Sequence, residues 1–211
     1  MTNDCEHVTF DSLVEIVEGR GALKRSILAI AGPPGAGKST VAERVAEALN
    51  ARDAQSAAVL PMDGYHFDDR ILNERGWRAR KGAPHTFDVA GFAQMLARLR
   101  RNEEEEIAVP VFDRNIEIAR NSARIITQSV RHLIVEGNYL LLDAPPWSTL
   151  GSLFDTTVFL NVPLKTLQER LAARWKDLSE DERTNKLEEN DLPNARLVRS
   201  ESRTAEFVMA N

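Results

Sequence analysis

The stretch Ile27–Leu49, ILAIAGPPGAGKSTVAERVAEAL, decides the fold. Its first residues are apolar without alternation, which reads as a strand covered on both faces, as strands of parallel sheets are. Glycines, two prolines and a lysine follow, and then an amphipathic helical pattern. Between strand and helix lies G-x-x-x-x-G-K-S, Gly32 to Ser39. Glycines let successive backbone N–H groups converge on phosphate oxygens, and the following helix adds the positive end of its dipole. In this context the pattern predicts a nucleoside triphosphate on Gly32, Pro33, Pro34, Gly35, Ala36, Gly37, Lys38, Ser39 and Thr40. Lys38 would reach the β- and γ-phosphates, and the Ser39 hydroxyl would ligate Mg2+.

A carboxylate should face such a loop from the end of another apolar strand, to organise the metal and its water. The chain offers two: Asp63 in LPMDGYHF and Glu136 in HLIVEGNYLL. In an open parallel sheet, ligands collect outside the carboxyl ends of the strands, so both acids and the loop should point into one crevice. Asp63 is assigned to the acceptor side, because the long irregular stretch behind it can build a pocket. There it would orient a hydroxyl and take its proton. Glu136 is assigned to the metal side, and which acid dominates catalysis stays open.

Further outward, residues 8–20 read as an N-terminal helix within a leading segment 1–23. Strands are expected at Arg25–Ala31, Ser56–Met62, Ile107–Phe112, His132–Val135, Phe154–Val162 and Glu206–Met209, with Arg124–Thr127 pairing to 107–112. Helices are expected from Lys38 to about Asn50, from an Asp88 N-cap through Arg101, and over Leu164–Trp175. Residues 64–87 read as irregular, Glu103–Glu106 as a solvated connection, and Lys176–Asn190 as a mobile helix or lid within a lid region 164–190. Strands alternating with helices give a three-layer α/β/α domain over residues 1–211, with a mainly parallel sheet.

Composition narrows the partners. A net charge of -5, scattered along the chain, argues against a nucleic-acid binder, and no apolar run approaches a bilayer span. The start MTNDCEHVTF lacks the features of a signal peptide, and Cys5, the single cysteine, is expected in a frayed N-terminus. One cysteine permits no internal disulfide, so the cytoplasm is the expected compartment.

Six stretches in order, GPPGAGKST, MDGYHF, RKGAPHTFD, VPVFDR, IVEGNYLLL and NDLPNARLV, resemble the phosphoribulokinase/uridine kinase family of P-loop small-molecule kinases. Within it the chain is most similar to fructose transport system kinases and bacterial type I pantothenate kinases, over about residues 24–208. The resemblance implies ATP- and Mg2+-dependent transfer to a hydroxyl, with Asp63 as base and Glu136 as the Walker B-like acid. It also implies that Lys81–Asp88 borders the acceptor pocket, that Phe112, Asp113 and Arg114 line it, and that Arg170 and Arg174 serve the phosphates from the lid. Asn190 and Asn194 would lie on the adenine side. Dimerisation, common in that family, makes a homodimer an expected possibility. The chain departs from it in being shorter than a pantothenate kinase and in reading Gly-Tyr-His-Phe after the base.

Smaller signals complete the reading. His66, with Tyr65 beside it, and His85 are candidate acceptor contacts, whereas His132 opens a buried strand. Arg78, Arg80 and Lys81 form a basic cluster that could clamp an anionic acceptor or the nucleotide. Arg170 and Arg174 share a helical face where a lid would close and would stabilise transition-state charge. Asn185-Lys186 lacks the aspartate and apolar strand of a guanine reader, which favours ATP. The expected function is phosphorylation of a small sugar, nucleoside or pantothenate-like metabolite. The competing expectation is a nucleotide-dependent regulatory ATPase serving a sugar transport system.

Overall fold

The computed structural model describes residues 5–211. In chain order the elements are β1 Glu6–His7, α1 Phe10–Arg20, β2 Ser26–Ala31, α2 Lys38–Arg52, β3 Ala57–Pro61, α3 Asp69–Glu74 and α4 Val89–Arg101. Then come β4 Glu106–Asp113, β5 Ile118–Thr127, β6 His132–Gly137, β7 Thr156–Asn161, α5 Leu164–Arg174, α6 Glu180–Thr184, α7 Leu192–Glu201 and β8 Phe207–Ala210. Six strands form one parallel sheet in the order β1-β8-β7-β2-β6-β3. The expected parallel α/β/α fold is the one observed.

The central strands explain the layers. Along β2, Ile27, Ala29 and Ala31 enter one apolar cluster, while Leu28 and Ile30 enter the other. In β6, Leu133 and Val135 face the first cluster and Ile134 the second. Both strands are buried on both faces, so each needs apolar residues at every position rather than at alternate ones. Helices α1 and α2 cover the side of Leu28 and Ile30. Helix α4 covers the other side with Phe92, Leu96 and Leu99, helped by Tyr139 and Trp147 from the segment after β6. Each such side chain, fully buried, contributes about 1.5–3 kcal/mol.

Three expectations are corrected. The pair 107–112 with 124–127 is a longer antiparallel hairpin, Glu106–Asp113 against Ile118–Thr127, standing apart from the main sheet. The stretch read as irregular contains α3, too short for a periodic signal, started by the Asp68 carboxylate accepting from Arg70 N–H. Cys5 is not frayed: its thiol donates to the Ala205 carbonyl, and the adjacent β1 pairs with β8. The segment after α5 is helical, beginning with a Ser179/Glu182 capping box and running through a π-helical turn, Asn185–Asp191, into α7.

Arg25, just before β2, ties three elements together. Its guanidinium donates to the carbonyls of Val130 (2.7 Å), Leu99 (2.8 Å) and Thr127 (2.7 Å). Burial lowers its pKa to about 10, yet the three acceptors are correctly placed for a planar fork. An Arg25→Met variant would leave those carbonyls without their donor. It is expected to lose about 2–4 kcal/mol of stability, read as a lower urea midpoint at unchanged slope.

Candidate active site

The strand order brings the predicted groups together. Glu136, near the end of β6, lies in register with Ile30 of β2 on one side and Pro61 of β3 on the other. All three strands are parallel, so the loop after β2, the end of β6 and the turn after β3 open on the same edge. A cleft of about 450 Å³ lies there.

On its phosphate side, Gly37 takes a left-handed conformation (φ 84°) and releases the chain into α2 at Lys38. The Lys38 ammonium is buried and donates to the Pro33 carbonyl at 3.0 Å. Burial lowers its pKa to about 8, while the nearby Glu136 and Asp63 act in the opposite direction. The Ser39 hydroxyl donates to Glu136 Oε1 at 3.0 Å. Burial raises the Glu136 pKa, and the charge of Asp63 adds to this, against the pull of Lys38 and Ser39. From α5, Arg170 donates to the Gly35 carbonyl at 3.2 Å, and Arg174, one turn later, lines the same cleft. Asp191 accepts from Trp175 Nε1 at 2.7 Å, and burial raises its pKa.

The acceptor side is built by a 3-10 turn, Met62–Tyr65. With three residues per turn, Met62 and Tyr65 share one face and Asp63 and His66 the other. Gly64 permits the hairpin to cross here, since a Cβ on it would stand 2.7 Å from the Pro110 carbonyl. Asp63 Oδ2 accepts from Arg114 at 3.0 Å. His66 Nδ1 lies 2.8 Å from the Asp63 carbonyl, so that nitrogen carries the proton and donates. Burial lowers the His66 pKa, chiefly against the charge of Asp63, which leaves Nε2 of the neutral ring as an acceptor. The ring packs at a tilt against Phe87 and Phe112, with centroid distances of 4.0 and 4.8 Å and interplanar angles of 42° and 40°. Lys81 is buried, with its ammonium on Asp69 Oδ1 and the Glu117 carbonyl.

The family described as an AAA domain matches residues 28–192. A candidate uridine kinase of Schizosaccharomyces pombe is 32% identical over 195 residues, 88% of this chain and 83% of that protein. The crystal structure of a candidate fructose transport system kinase from Silicibacter sp. TM1040 superposes with a TM-score of 0.87 at 39% identity, covering 95% of this chain and 98% of that one. A pantothenate kinase of Myxococcus xanthus is 32% identical over 144 residues, and the chain spans 44% of its length. This chain belongs to the P-loop kinases.

Within the kinase, Pro34, Gly35, Gly37, Lys38, Ser39, Thr40, Asp63, His66, Lys81, Phe112, Arg114, Glu136, Arg170, Arg174 and Asn194 all line the cleft. Of the residues expected there, Gly32, Pro33 and Ala36 of the loop do not, nor do four on the acceptor side, Tyr65, Arg80, His85 and Asp113, the last accepting instead from Asn115 N–H and Arg120. Tyr65 follows Met62 into the core, its ring 4.7 Å from that of Phe92. His85 is thrown outward by the turn Pro84–Thr86, which buries Thr86 instead, and meets the edge of Trp77. The basic cluster splits: Arg78 pairs with Asp69 at 2.9 Å and Lys81 enters the cleft, whereas Arg80 does not line it. Asn190, expected on the adenine side, donates its amide to the Lys81 carbonyl at 2.7 Å. Phe87, within the Lys81–Asp88 stretch expected to border the acceptor pocket, also lines the cleft, as do Glu117, Asn138 and Asp191, for which no role is expected from the sequence.

The depressed Lys38 predicts a proton linkage. A polyphosphate on the loop raises that pKa from about 8, so binding slightly above this pH takes up protons. Titration calorimetry with metal-free inorganic triphosphate, in buffers of different ionisation enthalpy, is expected to show uptake of roughly half a proton or more. Affinity falls as pH rises through that value. Absence of the linkage in wild type, or its persistence in Lys38→Met, contradicts the assignment.

Proposed function

We propose that this kinase transfers the γ-phosphoryl group of ATP to a hydroxyl of a small metabolite. The observation that carries the reading is a single cleft holding a phosphate loop at one end and a carboxylate beside an aromatic, hydrogen-bonding wall at the other. Backbone N–H groups of Gly35, Gly37 and Lys38 and the Lys38 ammonium bind the phosphates; Pro33 and Pro34 carry no N–H, and that of Ala36 is donated to the Pro33 carbonyl. Arg170 and Arg174 lie where charge on the transferring group develops, and donate to it.

Ser39 and Glu136 would hold Mg2+. Their oxygens already lie side by side, an all-oxygen donor set suited to a hard cation. Among the described residues no cluster of three or more His, Cys, Asp and Glu could hold a metal without help, which fits an ion that arrives with phosphate and water oxygens. When bound, the ion screens the phosphate charge and so favours transfer.

Asp63 orients the acceptor. Arg114 occupies Oδ2, and the other oxygen takes the acceptor O–H. As the acceptor oxygen bonds to phosphorus and the bond to the β-phosphate oxygen breaks, the proton passes to Asp63 and ADP leaves. His66 Nε2 accepts a hydrogen bond from a second donor on the acceptor, and Phe87 and Phe112 supply the apolar wall. Residues 164–190 act as a lid whose closure excludes water. The kinase works as a soluble enzyme on a small molecule, in the cytoplasm and as one domain.

The test is product mass and ADP release with Mg2+-ATP, screened over sugars, nucleosides and pantothenate-like compounds. Acceptor-dependent ADP with a product heavier by one phosphoryl group is expected. Asp63→Asn should slow transfer by about a hundredfold or more while leaving nucleotide affinity near wild type. Slow hydrolysis indifferent to both acceptor and Asp63 would replace this reading with a regulatory ATPase.

A further inference from the structure

We infer that Asn190 and Lys81 are positioning residues that connect the nucleotide end of the cleft to the acceptor wall. The inference rests on the nucleotide reading above. Asn190 is 6% exposed and lies in the π-helical turn Asn185–Asp191, a rare geometry that accumulates at functional sites. Its side chain is held at both ends. Oδ1 accepts from Asn194 at 3.1 Å, and Nδ2 donates to the Lys81 carbonyl at 2.7 Å.

Lys81 continues the chain of bonds. Its carbonyl is held by the π-helical turn, while its ammonium reaches the Glu117 carbonyl on the β4–β5 connection and Asp69 on α3. The same connection carries Arg114, whose guanidinium holds Asp63. A continuous path thus runs from α7 through Asn190, Lys81 and the hairpin tip to Asp63. Elsewhere the acceptor loop has two side-chain tethers from the core, Tyr139 OH to the Gly82 carbonyl at 2.6 Å and Trp147 Nε1–H to the Pro84 carbonyl at 3.2 Å, both independent of the lid.

Trp175 and Lys186 belong to the same lid segment as Asn190, Asp191 ends the π-helical turn that carries Asn190, and all line the cleft with Arg174. A polyphosphate that draws Arg174 and Lys186 inward therefore moves or stiffens the turn that grips Lys81. Asn190 and Lys81 need not touch nucleotide for this. The Asn190 amide fixes the height of the Lys81 carbonyl, and the Lys81 ammonium then fixes the hairpin tip. The result is an acceptor wall set in place once nucleotide is bound.

Hydrogen–deuterium exchange on the full chain tests this without a known acceptor. A non-hydrolysable ATP analogue with Mg2+ is expected to slow exchange at residues 32–40, and also at 78–86 and 114–118, by at least threefold. In Asn190→Ala the effect on 32–40 persists and the effects on 78–86 and 114–118 disappear. In Lys81→Met the effect on 78–86 persists and only that on 114–118 is lost, a pattern that general loosening would not produce. The Lys81 variant stands alone if Asn190→Ala does not fold. Protection confined to 32–40 in wild type, or unchanged distant protection in both variants, overturns the relay. No protection at 32–40 overturns the nucleotide reading itself, and the relay falls with it.

Discussion

Everything in the cleft depends on where β6 lies: between β2 and β3, parallel to both, with Glu136 in register with Ile30 and Pro61. The carboxylate is 5% exposed, a costly position for a charge in an apolar sheet. It is tolerable because the loop after β2 supplies the Ser39 hydroxyl and the Lys38 charge, and Lys38 is buried for the same reason. Each group is placed unfavourably alone and acceptably together. A register slip of one residue would turn Glu136 into an apolar cluster and bring Val135 to the edge of the site. Of the flanking strands, β2 is buried at every residue and β3 at Ala57 and Leu60, so the slip would set the Glu136 charge against apolar neighbours.

The legibility of the chain follows from this arrangement. Parts governed by backbone chemistry could be read directly. The glycine loop, the apolar runs of β2 and β6, and acids ending β3 and β6 follow from local pattern plus one rule about parallel sheets. Asp88 as N-cap of α4 could be read too, since its carboxylate accepts from Gly91 N–H. Side-chain direction in short turns could not. Tyr65 and His66 are neighbours in sequence, and a loop assignment treats them alike. The 3-10 period sends one to Phe92 and the other to the cleft. The direction of His85 is hidden for the same reason, in a turn only three residues long. The π-helical turn was illegible because no residue type specifies it. Its place shows only in what Asn190 reaches, a carbonyl more than a hundred residues earlier.

The two ends of the cleft differ in how their charges are matched. At the phosphate end, Lys38, Arg170, Arg174 and Lys186 face Glu136 and Asp191, an excess of cations that suits a polyanion. At the acceptor end, the cations are already engaged: Lys81 with Asp69, and Arg114 with Asp63. Cations already paired in this way give little net attraction for a further charge, because a new anion must displace a partner already in place. What the wall offers freely is acceptor capacity, from Asp63 and His66 Nε2, beside two phenyl rings. That chemistry reads hydroxyl donors on a compact molecule.

Arg114 is the exception that gives this wall some freedom. Its side chain is more than half exposed, and the hairpin that carries it is paired only to itself in the sheet topology. An ion pair of that exposure contributes at most about 1 kcal/mol, so it can be rearranged without loss of the fold. Asp63, by contrast, sits on the turn fixed by β3 and by the close approach of Pro110 to Gly64. Asp63 is therefore rigid and its cationic partner adjustable. Changes to Arg114 or Glu117 on the hairpin therefore alter that end of the cleft while leaving the sheet edge that carries Glu136 intact.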